Sequence, residues 1–524
     1  MTDPPVGTLC VVLHTHLPWL AGHGTWPVGE EWLHQAWSAS YLPLVEVLHG
    51  LADEGRTDLV SLGLTPVLAA QLDDPWCLRE HHGWLARWQL RAAELAVQTR
   101  DPHLRAAAAR EWRAAVRATG VFEQRWAHGG SAALRPLVDA GTVELLGGPA
   151  THPVLPLLPD RLAGAAVAAG LDDAAVRLGR RPRGLWVPEC AVAPGLEQVL
   201  AGAGVGHLMV EEATLRAAGR GTDRLWSWGG VLVAGRDLAL TDRVWSSRSG
   251  YPSGPDYQDF HHLDVASGFR VWRVTDPTRP DKAPYDPDRA AAAVRRDAAA
   301  FATAVRDRLL ERSRHGEEPL AVVAWDTELF GHWWHEGPQF LAQALRMLPE
   351  AGVRVATLGR VAAEQADRAA PVELPTGSWG HGKDLRLWAG PAVADLLADQ
   401  RAVAAELLSA VRPSARQGTH RDRRLDAMAR EAMLLHASDW AFMVSRDSAA
   451  GYARDRHRGH LRAFRSLAAG EEPSATSRVP NVVVPHLDAR ALGGGLSRTR
   501  HEAQDRRAEG GVTIPRRHVR RGAP

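Results

Sequence analysis

Short apolar runs, each closed by polar, Gly or Pro residues, recur along the first 360 residues of the chain. They are Thr8 to Leu13, Leu59 to Leu62, Thr142 to Leu146, Gly184 to Val187, His207 to Val210, Leu320 to Ala324 and Val353 to Thr357. They are rich in Val and Leu and do not alternate with polar residues, so they predict strands buried on both faces, as in a parallel sheet. Helical patterns lie between most of them. In DPDRAAAAVRRDAAAFATAVRDRLLERSRHG, Asp286 suits an N-cap, Pro287 the first helical position and Gly316 the stop. Strand and helix alternating in this way predict a parallel α/β barrel or an open doubly wound sheet.

Two intervals break the alternation. Residues 70–140 are helical almost throughout and predict an inserted subdomain. Residues 391–470 are again helical, without strand candidates, and predict a separate C-terminal domain after a catalytic unit of residues 1–390. Residues 471–524 are rich in Gly, Pro and Arg. From Arg498 onward eight Arg face three acidic residues with little to bury, so a disordered tail is expected.

At 524 residues the chain exceeds one ordinary core. Lys and Arg number 62 against 61 Asp and Glu, a net charge of +1 that gives no reason to expect a nucleic-acid partner. No eighteen-residue apolar run exists for a membrane span, and the N-terminal stretch lacks the marks of a signal peptide. Cys10, Cys77 and Cys190 are odd in number and far apart, which fits a reducing cytoplasm. The aromatic balance is unusual, with 20 Trp against 8 Phe and 5 Tyr. A buried indole needs a partner for its N–H, so this excess points to flat surfaces for stacking, with sugar rings as the leading candidate.

In parallel barrels the chemistry collects at the C-terminal ends of the strands. HTHLPW puts His14 and His16 there, GGPATHPVLPLL His152, GLWVPEC Glu189 behind Trp186, and AWDTELFGHWW Asp326 and Glu328. Each also has a structural reading. His14 and His16 alternate, so one should face away unless the strand has ended. His152 before Pro153 can shape a turn, and Glu328 can be a partner of the site or an N-cap. Glu189 and Asp326 resist that reading, because a carboxylate closing an apolar strand is costly unless paired or used. Two carboxylates from different strands, with abundant Trp, point to glycoside chemistry. One attacks the anomeric carbon while the other protonates the leaving oxygen and then activates the acceptor.

These stretches resemble glycoside hydrolase family 57, and within it the 1,4-α-glucan branching enzymes. HTHLPW, VELLGGPATHPVLPLL, GLWVPECAVAPGLEQVL, AWDTELFGHWWHEGPQFL and VATLGRV match the family's five signatures, and HGTWPVGEEWLHQAWSASYLPL, VWSSRSGYPSGPDYQDF, LPTGSWG and HASDWAFMV extend the likeness. The resemblance implies an incomplete (β/α)7 barrel with an inserted helical subdomain and a helical C-terminal domain. It implies a retaining mechanism without metal or other cofactor, with Glu189 as nucleophile and Asp326 as acid/base, acting on an intracellular α-1,4-glucan. By the same likeness His14, His16 and His152 line the cleavage point, and Asp439 is a substrate-binding candidate. Trp26, Trp186, Trp245, Trp333, Trp379 and Trp440 are candidate stacking platforms or cleft walls.

One departure stands out. Branching enzymes of the family carry a loop with a Tyr at its tip after the strand that here ends near Val210. This chain reads EEATLRAAGRGTDRLWSWGG there, short and without Tyr, which implies a shift from transfer towards hydrolysis. A relative that hydrolyses α-1,4-glucan or passes it to a 4-hydroxyl uses the same two carboxylates. A zinc-dependent deacetylase or mannosidase would need an Asp on the first strand or a second HxxxH pair, and neither appears at a strand end.

Overall fold

The computed structural model describes residues 4–25, 28–246, 248–276, 281–316, 319–417, 420–472 and 483–493. Ten strands form one sheet: β1 (Gly7–Thr15), β2 (Val60–Leu64), β3 (Val143–Gly147), β4 (Gly184–Leu185), β5 (His207–Val210), β6 (Trp226–Trp228), β7 (Val231–Gly235), β8 (Leu320–Asp326), β9 (Val353–Val355) and β10 (Ala370–Pro371). Their order is β10-β6-β7-β5-β4-β3-β2-β1-β8, with β9 also pairing β1. Every pair is parallel except β6 with β7. The fold is a mixed α/β one, a mainly parallel sheet flanked by helices. Strand β1, with Leu9, Val11 and Leu13 on one side and Cys10 and Val12 on the other, is buried on both faces. This accounts for its unbroken apolar run.

All seven apolar runs are strands. The hairpin β6–β7 and the two-residue β10 are the strands the apolar pattern missed. WSWGGVLVAG carries its own signal, because Gly229 and Gly230 both have positive φ (55° and 88°), the conformation that tight hairpin turns favour. The 28-residue helix Pro287–Arg314 begins where expected, with Asp286 accepting from the amides of Asp288 and Arg289.

In the 70–140 interval lie the helices Pro75–Gln98 and Pro102–Val121, each started by an Asp–Pro step whose Asp accepts an amide hydrogen bond. Beyond residue 391 come the helices Ala394–Gln417, Arg423–Leu435, Ser438–Ser445 and Ala450–Ala468. The expected disordered tail needs one correction. Val483, Val484, Leu487 and Leu492 are buried in the main core, and Arg430 donates to the carbonyl of Val483. These apolar side chains bury on the helical region, so a tail starting at residue 471 is too early; residues 473–482 and 494–524 lie outside the described residues.

The two ends of the parallel run meet through one acid. The Asp237 amide, just past β7, donates to the Val322 carbonyl of β8 at 2.7 Å. Its carboxylate accepts from Arg312 at 2.7 Å and Arg308 at 3.0 Å, and the Arg312 and Asp237 side chains are almost wholly buried. Removing one partner of a buried pair leaves the other charge uncompensated, at about 3–5 kcal/mol. Asp237→Ala is therefore expected to destabilise the protein by about that amount, read as a lower denaturant midpoint. An unchanged midpoint would show that this junction is not holding the sheet ends together.

Candidate active site

The register of β1 sets the floor of the site. His14 lies opposite Gly63 on β2 and Asp326 on β8, so the histidine and the carboxylate stand on neighbouring strands at one level. A Cβ at Gly63 would come within 3.3 Å of the Trp186 Cβ and 3.6 Å of His14 Nδ1, which explains glycine there. Strand β1 ends at Thr15, so His16 escapes strand alternation and both histidines reach one cluster. Gly331, with φ 105°, lets the turn after Asp326 lie against Ala39, where a Cβ would meet the backbone oxygen at 1.8 Å.

Glu189 is held in the left-handed region (φ 60°, ψ 14°), as are Cys190 (φ 48°) and His152 (φ 61°). Such backbone costs about 1–3 kcal/mol per residue and persists only where the surroundings impose it. Here they do. The Glu189 carbonyl accepts the Trp379 amide at 2.8 Å, Oε2 accepts the Trp379 indole N–H at 2.8 Å, and Oε1 accepts the Ser438 hydroxyl at 2.7 Å.

The histidines form a stacked group. His14 Nε2 and His152 Nε2 are 3.0 Å apart, and His152 Nδ1 is 2.9 Å from Ser438 Oγ. His16 bonds Thr65 through Nδ1 (2.9 Å) and Asp439 through Nε2 (3.1 Å). The rings of His16 and His152 stack at 3.8 Å, and His14 stacks on Trp186 at 4.2 Å. Burial, reinforced by the neighbouring His16, pushes His14 and His152 well below the usual histidine range, so both are neutral. His16, His152 and Asp439 offer ligand atoms within 4.8 Å of one another, the spacing of a metal site. Their nitrogens, however, are engaged in the bonds above, and stacked rings aim their in-plane lone pairs side by side rather than at a common point.

The carboxyls respond to the same enclosure. Burial and then the charge of Glu189 raise Asp326 to about 7. Burial and the charge of Asp326 raise Glu328 to about 8, partly offset by the Tyr41 hydroxyl, which donates to it at 2.5 Å. Burial also raises Glu189, against the lowering effect of its two donors. Glu328 also accepts the His16 amide at 3.3 Å, so it is a partner inside the site rather than a helix cap. Arg236, just past β7, pairs with the fully buried Glu211, lies 5.5 Å over the Trp379 ring, and lowers Asp326 by its charge.

A cleft of about 1740 Å³ opens over these groups, bordered by His14, His16, His152, Glu189, Asp326, Glu328 and Asp439. Trp245, Trp333 and Trp379 line it, the first two edge to face at 5.9 Å. Two expected platforms lie elsewhere. Trp186 is buried beneath His14 and Trp379. Trp440 has no exposed surface: it sits in an apolar cluster with Leu396 and Met443 and donates its N–H to the Leu434 carbonyl, so it is a core residue. Trp26 lies outside the described residues. The sequence reading missed Tyr41, Glu211, Arg236 and Ser438. Ser438 adjoins Asp439 in HASDW, and Glu211 and Arg236 close strands β5 and β7, so recognising β7 would have exposed the pair.

Residues 10–374 match the profile of glycosyl hydrolase family 57, and residues 400–478 that of the C-terminal region of 1,4-alpha-glucan branching enzymes. A probable 1,4-alpha-glucan branching enzyme of Mycobacterium tuberculosis is 49% identical over 90% of this chain and 94% of its own. A 1,4-alpha-glucan branching enzyme of Thermococcus kodakarensis is 33% identical, over 88% of this chain and 73% of its own. The crystal structure of a branching enzyme of this family from Pyrococcus horikoshii superposes with a TM-score of 0.86 at 30% identity, covering 93% of this chain and 97% of that one. Sequence and architecture agree, and the chain belongs to glycosyl hydrolase family 57.

Proposed function

We propose that this protein is a 1,4-α-glucan branching enzyme. The observation that carries the reading is the pairing of Glu189, bonded at both oxygens, with Asp326, raised to about 7, in one open cleft. Glu189 attacks the anomeric carbon of an α-1,4-linked glucose while Asp326 gives its proton to the departing oxygen. The glycosidic bond breaks, a covalent glucosyl–Glu189 ester forms, and the chain carrying the new 4-hydroxyl leaves. Asp326, now a carboxylate, takes the proton from a 6-hydroxyl of another glucan segment. That oxygen attacks the anomeric carbon, releasing Glu189 and leaving an α-1,6 branch with configuration retained. The Trp379 N–H and Ser438 O–H stabilise the Glu189 carboxylate and fix its direction, and the neutral His14 and His152, bonded to each other and, through His152, to Ser438, brace that donor without adding charge.

Branching is preferred to hydrolysis or transfer to a 4-hydroxyl because of the match over residues 400–478 and the named relatives. We read the parallel strands β8-β1-β2-β3-β4-β5-β7 as an incomplete (β/α)7 barrel. The supporting features are their order and the hydrogen bond from Asp237 to Val322 between its ends. In this reading residues 1–390 form the catalytic unit with the helical insertion at about 70–140, and 391–470 a helical domain completing the site. The cysteines are free and buried, and no helix among the described residues is long and apolar enough to cross a membrane. Both features accord with a cytoplasmic enzyme acting on an intracellular polyglucan.

Purified protein incubated with amylose should release few reducing ends until a debranching enzyme is added, and many afterwards. Reducing ends that rise at once, with none added by debranching, would make it a hydrolase. Glu189→Gln and Asp326→Asn should each lower kcat by about 10³-fold or more, and a rate near the parent's in either variant would overturn the assignment. Asp326 must be protonated in the first step, so kcat/KM should fall as pH rises through about 7. A profile flat to pH 9 would exclude it as the acid.

A further inference from the structure

The helical insertion borders the same cleft, and what it presents there is aromatic. Trp84 and Trp88 stand one turn apart on the helix Pro75–Gln98, their rings 5.7 Å apart, and both line the cleft. Each indole N–H is tied to a carboxylate. Trp84 donates to Glu31 at 2.9 Å and Trp88 to Glu111 at 3.1 Å. A tethered indole keeps its ring plane fixed while its faces stay apolar. Both tryptophans are half-buried, and Arg91 and Gln35 stand beside them at the same wall.

The position of this wall relative to the two carboxylates decides its use. On the Asp326 side the turn that follows carries His332 and Trp333, whose rings lie 6.0 Å apart. His332 meets Phe260 edge to face at 5.7 Å, and Arg270 covers Phe260 at 4.4 Å. The residue before Arg270, Phe269, lies 5.4 Å beneath Arg91 of the insertion helix and belongs to the apolar cluster against which Trp88 packs. The insertion wall therefore continues the acid/base side of the cleft. On the Glu189 side the cleft is bordered instead by Trp379, Leu387, Asp439 and Phe442. The acid/base delivers its proton to the leaving chain and later removes one from the acceptor, so leaving chain and acceptor both occupy the Asp326 side.

We propose that Trp84 and Trp88 form a stacking platform for the acceptor segment of an α-1,4-glucan, seated on the helical insertion and continuous with the catalytic cleft. The proposal rests on the branching reading above and assigns to the insertion the selection of a sugar hydroxyl over water. Two fixed apolar planes, with Glu31 and Glu111 at their edges, suit the apolar faces and equatorial hydroxyls of successive glucose units. An acceptor held there raises the local concentration of hydroxyl at the glucosyl–Glu189 ester.

The test replaces both residues. In Trp84→Ala/Trp88→Ala the reducing ends freed per α-1,6 branch should rise about tenfold, the scale of losing two aromatic faces, and the half-saturating acceptor concentration should rise with it. Trp84→Phe/Trp88→Phe should restore most of the ratio. Should the alanine pair melt early, Trp84→Leu/Trp88→Leu keeps apolar bulk without an aromatic face and carries the same expectation. A folded variant with the parent's ratio and acceptor dependence overturns the platform. Should the unmodified protein make no branches at all, the branching reading fails by itself, and the platform is judged by electrophoresis through amylose-containing gels. There the inactive Glu189→Gln protein should be retarded about tenfold more strongly than the same protein carrying both alanines; equal retardation overturns the platform.

Discussion

The active site depends on the seating of one short segment, residues 437–439, upon the strand ends. Ala437 bridges Pro153, the Ser438 amide donates to the His152 carbonyl at 3.0 Å, and the Thr151 hydroxyl donates to the Met433 carbonyl at 2.5 Å. Through this contact Ser438 reaches Glu189 and His152, and Asp439 reaches His16. The left-handed backbone at His152 and Glu189 faces that segment, and part of its cost is met by bonds across it. The sheet alone would leave Glu189 with one donor fewer and His16 without its acid.

That seating also shapes the electrostatics. Glu189, Asp326 and Glu328 share one enclosure, and burial raises all three, reinforced by the charge of Asp439 at Glu189, of Glu189 at Asp326 and of Asp326 at Glu328. Like charges in a common low-dielectric space cannot all ionise near neutral pH, so the group titrates as a unit. The enclosure sorts the roles by donors. Glu189 has two hydrogen bonds to stabilise its anion. Asp326 has only the lowering effects of His16 and Arg236 against its burial and stays raised to about 7. Glu328, bonded by Tyr41, is raised in turn by the charge of Asp326. Arg236 is the counterweight: its pairing with Glu211 spends much of its charge away from the cleft, leaving Asp326 raised rather than collapsed to an ordinary carboxylate.

Much of this was legible in the sequence because the relevant signals are local. Apolar runs without alternation mark doubly buried strands, and a polar residue closing such a run marks the mouth of the site; His14, His152, Glu189 and Asp326 were found that way. What was not legible is what depends on tertiary seating. Nothing local distinguishes Trp440, sealed in a core cluster, from Trp379, which donates to the nucleophile; both are indoles next to polar residues. Ser438 and Tyr41 act on Glu189 and Glu328 across 249 and 287 positions of chain. Only the fold brings them there. The hairpin β6–β7 was missed for another reason: Trp226–Trp228 is short and alternates, and the apolar run of Val231–Gly235 follows it directly, with no helical pattern between them to mark two strands.

The interval after β5 brings these threads together. Where the resemblance implies a long loop with a Tyr at its tip, this chain has the helix Glu212–Ala217 and then the hairpin. The first residue of that interval, Glu211, is fully buried and committed to Arg236, while Lys383 approaches its other oxygen at 3.4 Å. A buried ion pair at its root fixes the start of the segment, because moving it would separate charges already removed from water. In the branching reading proposed above, this segment is thus a fixed part of the wall, and the exclusion of water falls to what fills the cleft. In that reading the fate of the glucosyl–Glu189 ester is then set by how well the walls hold a second chain, and the indoles of Trp379 and, on the insertion, Trp84 and Trp88 are each tethered by their N–H.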